Sequence, residues 1–573
     1  MVASTLHRLL NADVPWLHHV LILTSALVLP SSGIRTFLSV HCVIAILFDT
    51  EALLAAFQNP NEPPLIPHPY LPFLGHVVGM FWYGAKYFAL VNTSTQHPIF
   101  SLQTLTTRTV VVIDPALATA IQKKSPHLTF YGLILRVTRR LVDLDNPTMK
   151  IISWNLDGVE HGPHEKGLLK ESEDMIHGSL SPGPILNSLS TTQLEQFSTL
   201  LNDFVPRIGD GQSVGIGLME FIKQIFTVAN AYTIYGPSNP FALHPRLVQS
   251  FWDYEAGMVG LIPNILPSIT SRKSWKARTA LNAAFHEFVE NGHFRQASSI
   301  IQKRAAFNMK HGLTADMSGR TEVILLFGIL GNAVPTTFWF LAHILSRPEL
   351  LDAIRQETSR AIINHQHTTN EKENARSISV SLLKSQCPLF VSTYRESLRH
   401  IANLSSVRMV TGTHTVSAPG HPSYLLNKGN IIQMASGVIH AAPRTWGSDA
   451  AEFRPERWMT STPTSSDDKK RTALLLPKSV PSAAFRPFGG GAVLCPGRHF
   501  AMTEILSFVA LCVNMFDFTE DAVQGGGAIK LPEKDDSRMP LSVMKPVKEP
   551  IVRVRRRAGT EGVKWRVEWR VEL

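Results

Sequence analysis

Apolar residues recur every three or four positions along most of this chain, which is the spacing of amphipathic and buried α-helices. The spacing predicts helices over residues 115–124, 191–204, 219–233, 245–261, 274–294, 321–345, 348–364 and 380–400. Runs rich in β-branched residues predict a hairpin over residues 97–105 and 108–113 and short strands at residues 406–411, 414–418 and 430–435. Residues 125–187 show no clear period and are predicted to be irregular. We therefore expect a mainly α fold with a small β region.

Two apolar runs lie close to the N-terminus, over residues 16–30 and 36–48. Each run is shorter than the roughly 20 residues that a spanning helix needs. We interpret residues 1–58 as a membrane anchor region. It is formed either by a tilted or re-entrant segment, or by one interfacial helix followed by a first core element. A secretory signal peptide is the weaker interpretation, because no clear small-residue cleavage site follows.

Proline content marks the next boundary. Residues 59–75 carry so many prolines that neither a helix nor a central strand can continue through them, which predicts a stiff, Pro-rich hinge. Residues 76–557 show no internal repeat and no second domain boundary. Residues 558–573 form a charged C-terminal tail to which the sequence assigns no role.

Charge and cysteine content narrow the class of protein. Lysine and arginine number 55 against 45 aspartates and glutamates, and the resulting net charge of +10 favours acidic partners. The chain has no recognisable nucleic-acid-binding module, so nucleic acid is not an expected partner. The four cysteines, Cys42, Cys387, Cys495 and Cys512, contain no C-x-x-C pair and are too few for a disulfide framework. They indicate a reducing compartment and no structural zinc site.

The most informative motif is FRPFGGGAVLCPGRHFA, over residues 485–501. Its three consecutive glycines allow a backbone path that other residues cannot follow, and they let the chain pass close to a flat ligand. Cys495 follows this turn and stands directly before an apolar, helical stretch. Because the N–H groups at a helix N-terminus favour a thiolate, Cys495 is a candidate metal ligand.

Two further motifs precede this loop in the chain. Glu396 and Arg399 form an E-x-x-R pair that shares one face of a helix, and Arg457 lies in FRPERW over residues 453–458. In this order and at this spacing, the three motifs closely resemble those of the cytochrome P-450 family. The resemblance implies that Glu396, Arg399 and Arg457 form a buried structural triad that holds the segment before the cysteine loop.

The family's haem-binding motif, F-x-x-G-x-[R/H]-x-C-x-G, is matched in register by Phe488, Gly491, Cys495 and Gly497. The resemblance implies the cytochrome P-450 fold and a haem b cofactor whose iron is bound axially by the Cys495 thiolate. Thiolate ligation pushes electron density onto the iron and favours O–O cleavage. Residues 76–557 would then form the haem-binding catalytic domain.

One position departs from the family motif. Val493 stands where the family usually has an arginine or histidine that contacts a haem propionate. We expect the missing cation to be replaced from elsewhere. Arg408 lies where the family often supplies a propionate ligand, and Arg498 and His499 are weaker candidates.

The predicted helix over residues 321–345 corresponds to the long helix that crosses the distal face of the haem in this family. The acid–alcohol pair that the family commonly carries there falls on Gly331 and Asn332. This departure is similar to a subgroup seen in steroid hydroxylases and prostacyclin synthase, in which Asn replaces Thr. We predict a distal-pocket role for Asn332, with Thr336 in reserve, and expect Pro335 to kink the helix.

The resemblance implies a monooxygenase that uses O2 and electrons from a separate NADPH-cytochrome P-450 reductase. The expected substrate is bulky and apolar: a terpenoid, a steroid or a polyketide. The end of the cysteine motif resembles fungal secondary-metabolism oxygenases, and the expected location is the endoplasmic reticulum membrane with the catalytic domain facing the cytosol. Two alternatives stay open. One is a haem-thiolate isomerase or dehydratase acting on a peroxide without O2, and the other is a non-catalytic haem-binding protein.

Overall fold

The structure is a computed structural model. It describes residues 50–569, apart from residues 52, 85, 124, 157–164, 210, 366–373, 463–469, 474–475, 522–526 and 537–541. Most of the expected membrane anchor region and the last four residues of the charged tail lie outside the described residues. The described part of the chain is mainly helical with several small sheets, as the sequence predicts.

Helices dominate the described residues, and in five of them a side chain caps the first free N–H groups. Asp114, for example, accepts hydrogen bonds from the N–H groups of Ala116 and Leu117, and Pro115 occupies the first turn of that helix. The helices are α1 (Gly75–Tyr83), α2 (Lys86–Thr95), α3 (Pro115–Gln122), α4 (Tyr131–Val142), α5 (Asn146–Ile152), α6 (Leu168–Leu180), α7 (Pro184–Ile208), α8 (Leu218–Tyr235), α9 (Pro240–Leu243), α10 (Leu247–Leu261), α11 (Pro267–Thr270), α12 (Arg272–Glu290), α13 (Ser299–Lys310), α14 (Ala315–Leu345), α15 (Pro348–Thr358), α16 (Val380–Gln386), α17 (Pro388–Ile401), α18 (Ser436–His440), α19 (Pro443–Trp446) and α20 (Arg498–Met515).

The strands form small sheets at the periphery of the helices. They are β1 (Leu65–Ile66), β2 (Ile99–Gln103), β3 (Arg108–Val112), β4 (Leu128–Thr129), β5 (Ser213–Gly217), β6 (Ile362–His365), β7 (Asn374–Ser379), β8 (Ser405–Val410), β9 (His414–Val416), β10 (Tyr424–Leu426), β11 (Ile431–Ala435), β12 (Met459–Thr462), β13 (Lys470–Ala473), β14 (Phe516–Glu520), β15 (Ile551–Arg556) and β16 (Val563–Glu568). The largest sheet has the order β1-β2-β3-β11-β8-β4. The predicted hairpin is confirmed as β2–β3, which pair antiparallel. Strand β1 lies within the Pro-rich hinge and pairs parallel with β2, so this part of the hinge is attached to the sheet.

Helix α14 forms much of the apolar core. Thr314 caps its first turn, and nearly all its residues from Leu330 onward are buried against α8, α12, α17 and α20. Among the described helices, α14 alone has the length and apolar composition of a membrane span, but it is largely buried inside the fold. The helix continues through Pro335, next to which the Thr336 hydroxyl donates a hydrogen bond to the Asn332 carbonyl oxygen at 2.7 Å.

Three predictions of secondary structure were wrong. The segment predicted to be irregular contains α4, α5 and α6, and the left-handed Asp143 and the cap at Asp145 interrupt the helical period between α4 and α5. The helix predicted over residues 348–364 ends at Thr358 and is followed by strand β6. The helix predicted over residues 380–400 is two helices, because Pro388 lacks the N–H that would continue α16.

The charged C-terminal tail contains a strand. β16 pairs parallel with β7, in register from Val563 opposite Asn374 to Glu568 opposite Ser379. The indole of Trp565 is buried, and its backbone N–H donates a hydrogen bond to the Asn202 side chain of α7. The tail therefore contributes packing to the helical body.

Candidate active site

The glycine loop before α20 folds back on itself to present Cys495. The Cys495 N–H donates a hydrogen bond to the Phe488 carbonyl oxygen at 3.0 Å, and Leu494 N–H donates to Gly491 oxygen at 3.2 Å. Gly491 has a φ of +63°, and a Cβ at this position would lie 2.4 Å from the Gln122 carbonyl oxygen. The loop therefore requires glycine here both for its backbone conformation and for its close approach to α3.

The Cys495 thiol lies at the start of α20, as predicted. Burial raises its pKa, whereas the N–H groups of Gly497 and Arg498 and the charge of Arg498 lower it. The N–H groups at the helix N-terminus therefore lower the Cys495 pKa, which is the expected direction, and burial opposes them. A metal ion bound at sulfur deprotonates a coordinating thiol outright.

The other described cysteines have different environments. Cys387 and Cys512 are fully buried in the apolar core, and the Cys387 thiol donates a hydrogen bond to the Glu357 carbonyl oxygen. Cys495 is partly accessible at the glycine loop. Among the cysteines that the structure describes, Cys495 is therefore the one placed to ligate a flat cofactor.

The structure brings Glu396, Arg399 and Arg457 together around a fully buried carboxylate. Glu396 Oε1 accepts hydrogen bonds from Arg399 Nη2 at 2.8 Å and from Arg457 Nε at 3.0 Å. Its other oxygen, Oε2, accepts from Arg399 Nε and Trp458 Nε1, both at 3.0 Å. Burial acts to raise the pKa of Glu396, but the hydrogen bonds from His400 and Arg399 and the Arg399 charge hold it far below its usual range.

The two arginines of the triad fix the segment that leads to the cysteine loop. Arg399 Nη1 donates hydrogen bonds to the carbonyl oxygens of His440 and Ala450, at 2.8 and 2.7 Å. Arg457 Nη1 donates to the Asp449 carboxylate at 3.0 Å, and Arg457 Nη2 donates to the Asp449 carbonyl oxygen at 2.9 Å. These contacts tie residues 440–458 to helix α17.

Two buried guanidinium groups lie close to the glycine loop without a carboxylate partner. Arg408 on β8 and Arg486 in the loop are each 4% exposed. No carboxylate of the described residues lies within 4.0 Å of either guanidinium. Burial lowers the pKa of Arg408, and burial together with the charge of Arg408 lowers the pKa of Arg486 to about 10. The sequence prediction included Arg408 but passed over Arg486, although Arg486 stands within the quoted motif.

On α14, Asn332 is tied to a segment near the C-terminus. Its Oδ1 accepts a hydrogen bond from the Val543 N–H at 3.1 Å. About two turns further along α14, Trp339 Nε1 donates to the Met544 carbonyl oxygen at 2.7 Å. Gly331 is buried, and a Cβ there would lie 2.7 Å from the Phe327 ring. This attachment has no signal in the sequence, because its two partners are about 210 residues apart.

Comparison with known proteins agrees with this geometry. The family model described as Cytochrome P450 matches residues 217–535, which is more than half of the chain. The chain belongs to the cytochrome P-450 family. It is 27% identical to a cytochrome P-450 monooxygenase of Hypoxylon pulicicidum over 89% of this chain and 93% of that protein. It is also 27% identical to a cytochrome P-450 monooxygenase of Gibberella zeae, over 88% of this chain and 91% of that protein.

One human relative has a name that specifies a steroid substrate. The 7-alpha-hydroxycholest-4-en-3-one 12-alpha-hydroxylase of Homo sapiens is 24% identical over 85% of this chain and 92% of its own length. The predicted family, fold class and oxidoreductase activity of this P-450 are thereby confirmed.

Membership of the family implies haem b with a cysteine thiolate as the axial iron ligand. The residues of this P-450 fit that cofactor. Cys495 stands on a glycine loop that admits a flat group, and two buried cations nearby match the two carboxylates of a haem. The family also implies a redox partner, a substrate and O2.

Proposed function

We propose that this P-450 monooxygenase oxidises a bulky apolar substrate, a terpenoid, steroid or polyketide, in secondary-metabolite biosynthesis. O2 would be the oxidant, and electrons would come from NADPH through cytochrome P-450 reductase. Fungal monooxygenases and a steroid 12-alpha-hydroxylase among its relatives support this substrate class. The observation that carries the proposal is the placement of Cys495 on a glycine loop supported by the buried Glu396 triad.

We assign the axial ligand to Cys495 and the close backbone approach to Phe488, Gly491 and Gly497. A Cβ at Gly497 would lie 3.8 Å from Cys495 Sγ, so Gly497 keeps the space beside the sulfur open. Arg408, buried without a carboxylate, would bind a haem carboxylate. When bound, the haem supplies the oxygen activation that oxidation of an unreactive C–H bond requires.

Asn332 would act on the distal side through its side-chain amide. Its Oδ1 accepts a hydrogen bond from Val543, so its two Nδ2 donors and one Oδ1 lone pair are left for the pocket. Asn332 would therefore donate a hydrogen bond to substrate or to an ordered water, and it would also hold the segment around Val543 as a pocket wall. Gly331, which has no side chain, accommodates the Phe327 ring on the same helix.

Membrane attachment is part of the proposal, at the endoplasmic reticulum with the catalytic domain facing the cytosol. Two exposed apolar groups support attachment. The first consists of Val77, Phe81 and Trp82 on α1, and the second of Ile265 and Leu266 before α11. Exposed apolar groups of this kind mark membrane or protein contacts.

Reconstitution of the full chain with NADPH-cytochrome P-450 reductase in vesicles tests this function. We expect a terpenoid, steroid or polyketide from a broad panel to gain one oxygen atom only when NADPH, reductase and O2 are all present. Turnover of a peroxide without NADPH would instead support the isomerase or dehydratase alternative, which the Gly331–Asn332 departure leaves open. Haem binding with neither turnover nor a substrate-induced spectral shift across the panel would contradict the proposal.

A further inference from the structure

Val493 leaves the cysteine loop without the cation that the family usually carries there. We propose that Arg486 replaces that cation, and that Arg486 and Arg408 together bind the two carboxylates of the haem. The proposal rests on the proposed placement of the haem against Cys495. It adds a cofactor-binding residue from an unexpected position, nine residues before the cysteine.

The position of the Arg486 side chain supports this role. Its Nη2 donates a hydrogen bond to Gln122 Oε1, and its Nη1 donates to the Ala483 carbonyl oxygen at 3.2 Å. A Cβ at Gly490 would lie 3.2 Å from Arg486 Nη2. The guanidinium therefore lies directly against the glycine loop that faces the cofactor.

Arg486 also has an unsatisfied donor. Its Nε is buried and has no hydrogen-bond partner among the described residues, and Arg486 as a whole is only 4% exposed. A buried polar group without a partner is costly, and a buried charge without a counter-charge is more costly still. A ligand carboxylate would satisfy both the donor and the charge through a charge-assisted hydrogen bond.

Arg408 has the same requirement for an anion. The hydrogen bond of its guanidinium runs from Nη1 to the Val407 carbonyl oxygen at 2.7 Å, and the group stacks 5.6 Å from the Phe130 ring. Gln122 links the two cations, because its Oε1 accepts from Arg486 while its Nε2 donates to Ser406 on β8 at 3.3 Å. Two like charges held in one buried region repel each other, and a dicarboxylate would remove that repulsion.

The alternatives suggested by the sequence are less suitable. Arg498 and His499 lie in the first turn of α20 and are only partly buried, so solvent can satisfy them. Arg498 Nη1 donates to the Cys495 carbonyl oxygen at 3.1 Å. Neither side chain shows the unsatisfied buried charge that marks Arg486.

The test measures how fast haem leaves the purified holoprotein, by transfer to an excess of apomyoglobin. Arg486→Gln should accelerate haem loss about ten- to hundredfold, as expected when a hydrogen bond to a charged group is removed. Arg486→Lys should lose haem at a rate between those of the parent and Arg486→Gln. The exposed Arg444, whose guanidinium donates to Gln96, provides the charge-matched control, and Arg444→Gln should leave the rate within about twofold.

Placing a guanidinium at position 493, where the family usually carries its cation, gives the decisive comparison. In the Arg486→Gln background, Val493→Arg should restore slow haem loss, because it returns a guanidinium to the loop. The propionate bending bands in resonance Raman spectra should shift in Arg486→Gln and not in Arg444→Gln. Loss of packing alone would produce neither the rescue nor the selective shift.

Parent-like haem loss in Arg486→Gln would overturn the proposal. If Arg486→Gln alone does not fold, the test rests on the double variant that combines Arg486→Gln with Val493→Arg. Recovery of a folded, haem-retaining chain supports a charge role, and failure to recover overturns it. A parent protein that holds haem without a thiolate-type spectrum would refute the assignment of Cys495 and not that of Arg486, because haem transfer is measured independently of the axial ligand.

Discussion

Replacing Glu396 by glutamine should strongly destabilise the protein, although the two side chains have nearly the same shape. The Glu396 carboxylate is fully buried and accepts hydrogen bonds from two arginines that are themselves 1% and 8% exposed at their side chains. Glutamine would leave Arg399 without its counter-charge and Arg457 with Asp449 alone, and it would point an N–H2 group at donors on Arg399 or Trp458. Removing one partner of a buried ion pair costs about 3–5 kcal/mol.

Denaturant unfolding of the purified chain, followed by far-UV circular dichroism, measures this cost. Glu452 offers a matched control, because it lies in the same segment but is exposed. Glu452→Gln should change the free energy of unfolding by less than about 0.5 kcal/mol. A loss below about 1 kcal/mol in Glu396→Gln would refute the inference that the triad depends on a buried, charged carboxylate.

Three further predictions concern the side chains of Glu504, Trp565 and Asn332. Burial raises the pKa of Glu504 to about 8, so the folded chain binds its proton more tightly than the unfolded chain. Its stabilising contribution is fully present below about pH 4.5 and is lost as the pH rises towards 8. Glu504→Gln should make Tm fall less steeply between about pH 4.5 and pH 8, and an unchanged slope of Tm against pH would contradict the raised pKa of Glu504. Trp565→Ala should lower the free energy of unfolding in urea by about 3–5 kcal/mol. Arg566→Ala, at the neighbouring exposed position, should lower it by less than about 0.5 kcal/mol. Equal effects of the two substitutions would show that the tail is not packed. Asn332→Asp retains the oxygen that accepts from Val543 and removes the Nδ2 donor. It should lower turnover in the reconstituted system and change the free energy of unfolding by less than about 1 kcal/mol. Parent-like turnover would exclude a donor role for Asn332.

The residues of the candidate site could be found from sequence where the chemistry is local. Glu396 and Arg399 are three positions apart on a helix, and Cys495 lies four positions after a run of three glycines, so short motifs suffice. The geometry of Arg457 depended on the resemblance to a family, because 61 residues separate it from Glu396. The structure shows both arginines on one carboxylate.

Long-range burial could not be predicted in this way. Arg486 looks like an ordinary charged residue in its motif, and only the fold shows that it lies buried against Gln122 of α3, 364 residues away. Strand β16 likewise becomes a strand by pairing with β7, about 190 residues earlier. Its sequence alternates charged and apolar residues, but the pattern does not identify a partner.

Local breaks explain the helices that periodicity missed. α4 ends where Asp143 adopts a left-handed conformation with a φ of 60°, and α5 begins two residues after Leu144, with Asp145 as its cap. The apolar residues of α4 do follow a helical period, so the prediction failed at the break after Val142 and not for lack of a period. Caps and turn residues mark such boundaries better than hydrophobic spacing does.

The absorption spectrum of the reduced, carbon-monoxide-bound protein tests the central claim most directly. Cys495→Ala should be measured beside the parent, with Cys512→Ala as the control, because Cys512 is buried in α20 away from the loop. The parent and Cys512→Ala should both show the strongly red-shifted Soret band of thiolate-ligated haem, and Cys495→Ala should lose it. A band at the position of histidine-ligated haem in the parent, or a red-shifted band that persists in Cys495→Ala, would contradict the assignment of Cys495 as the axial ligand.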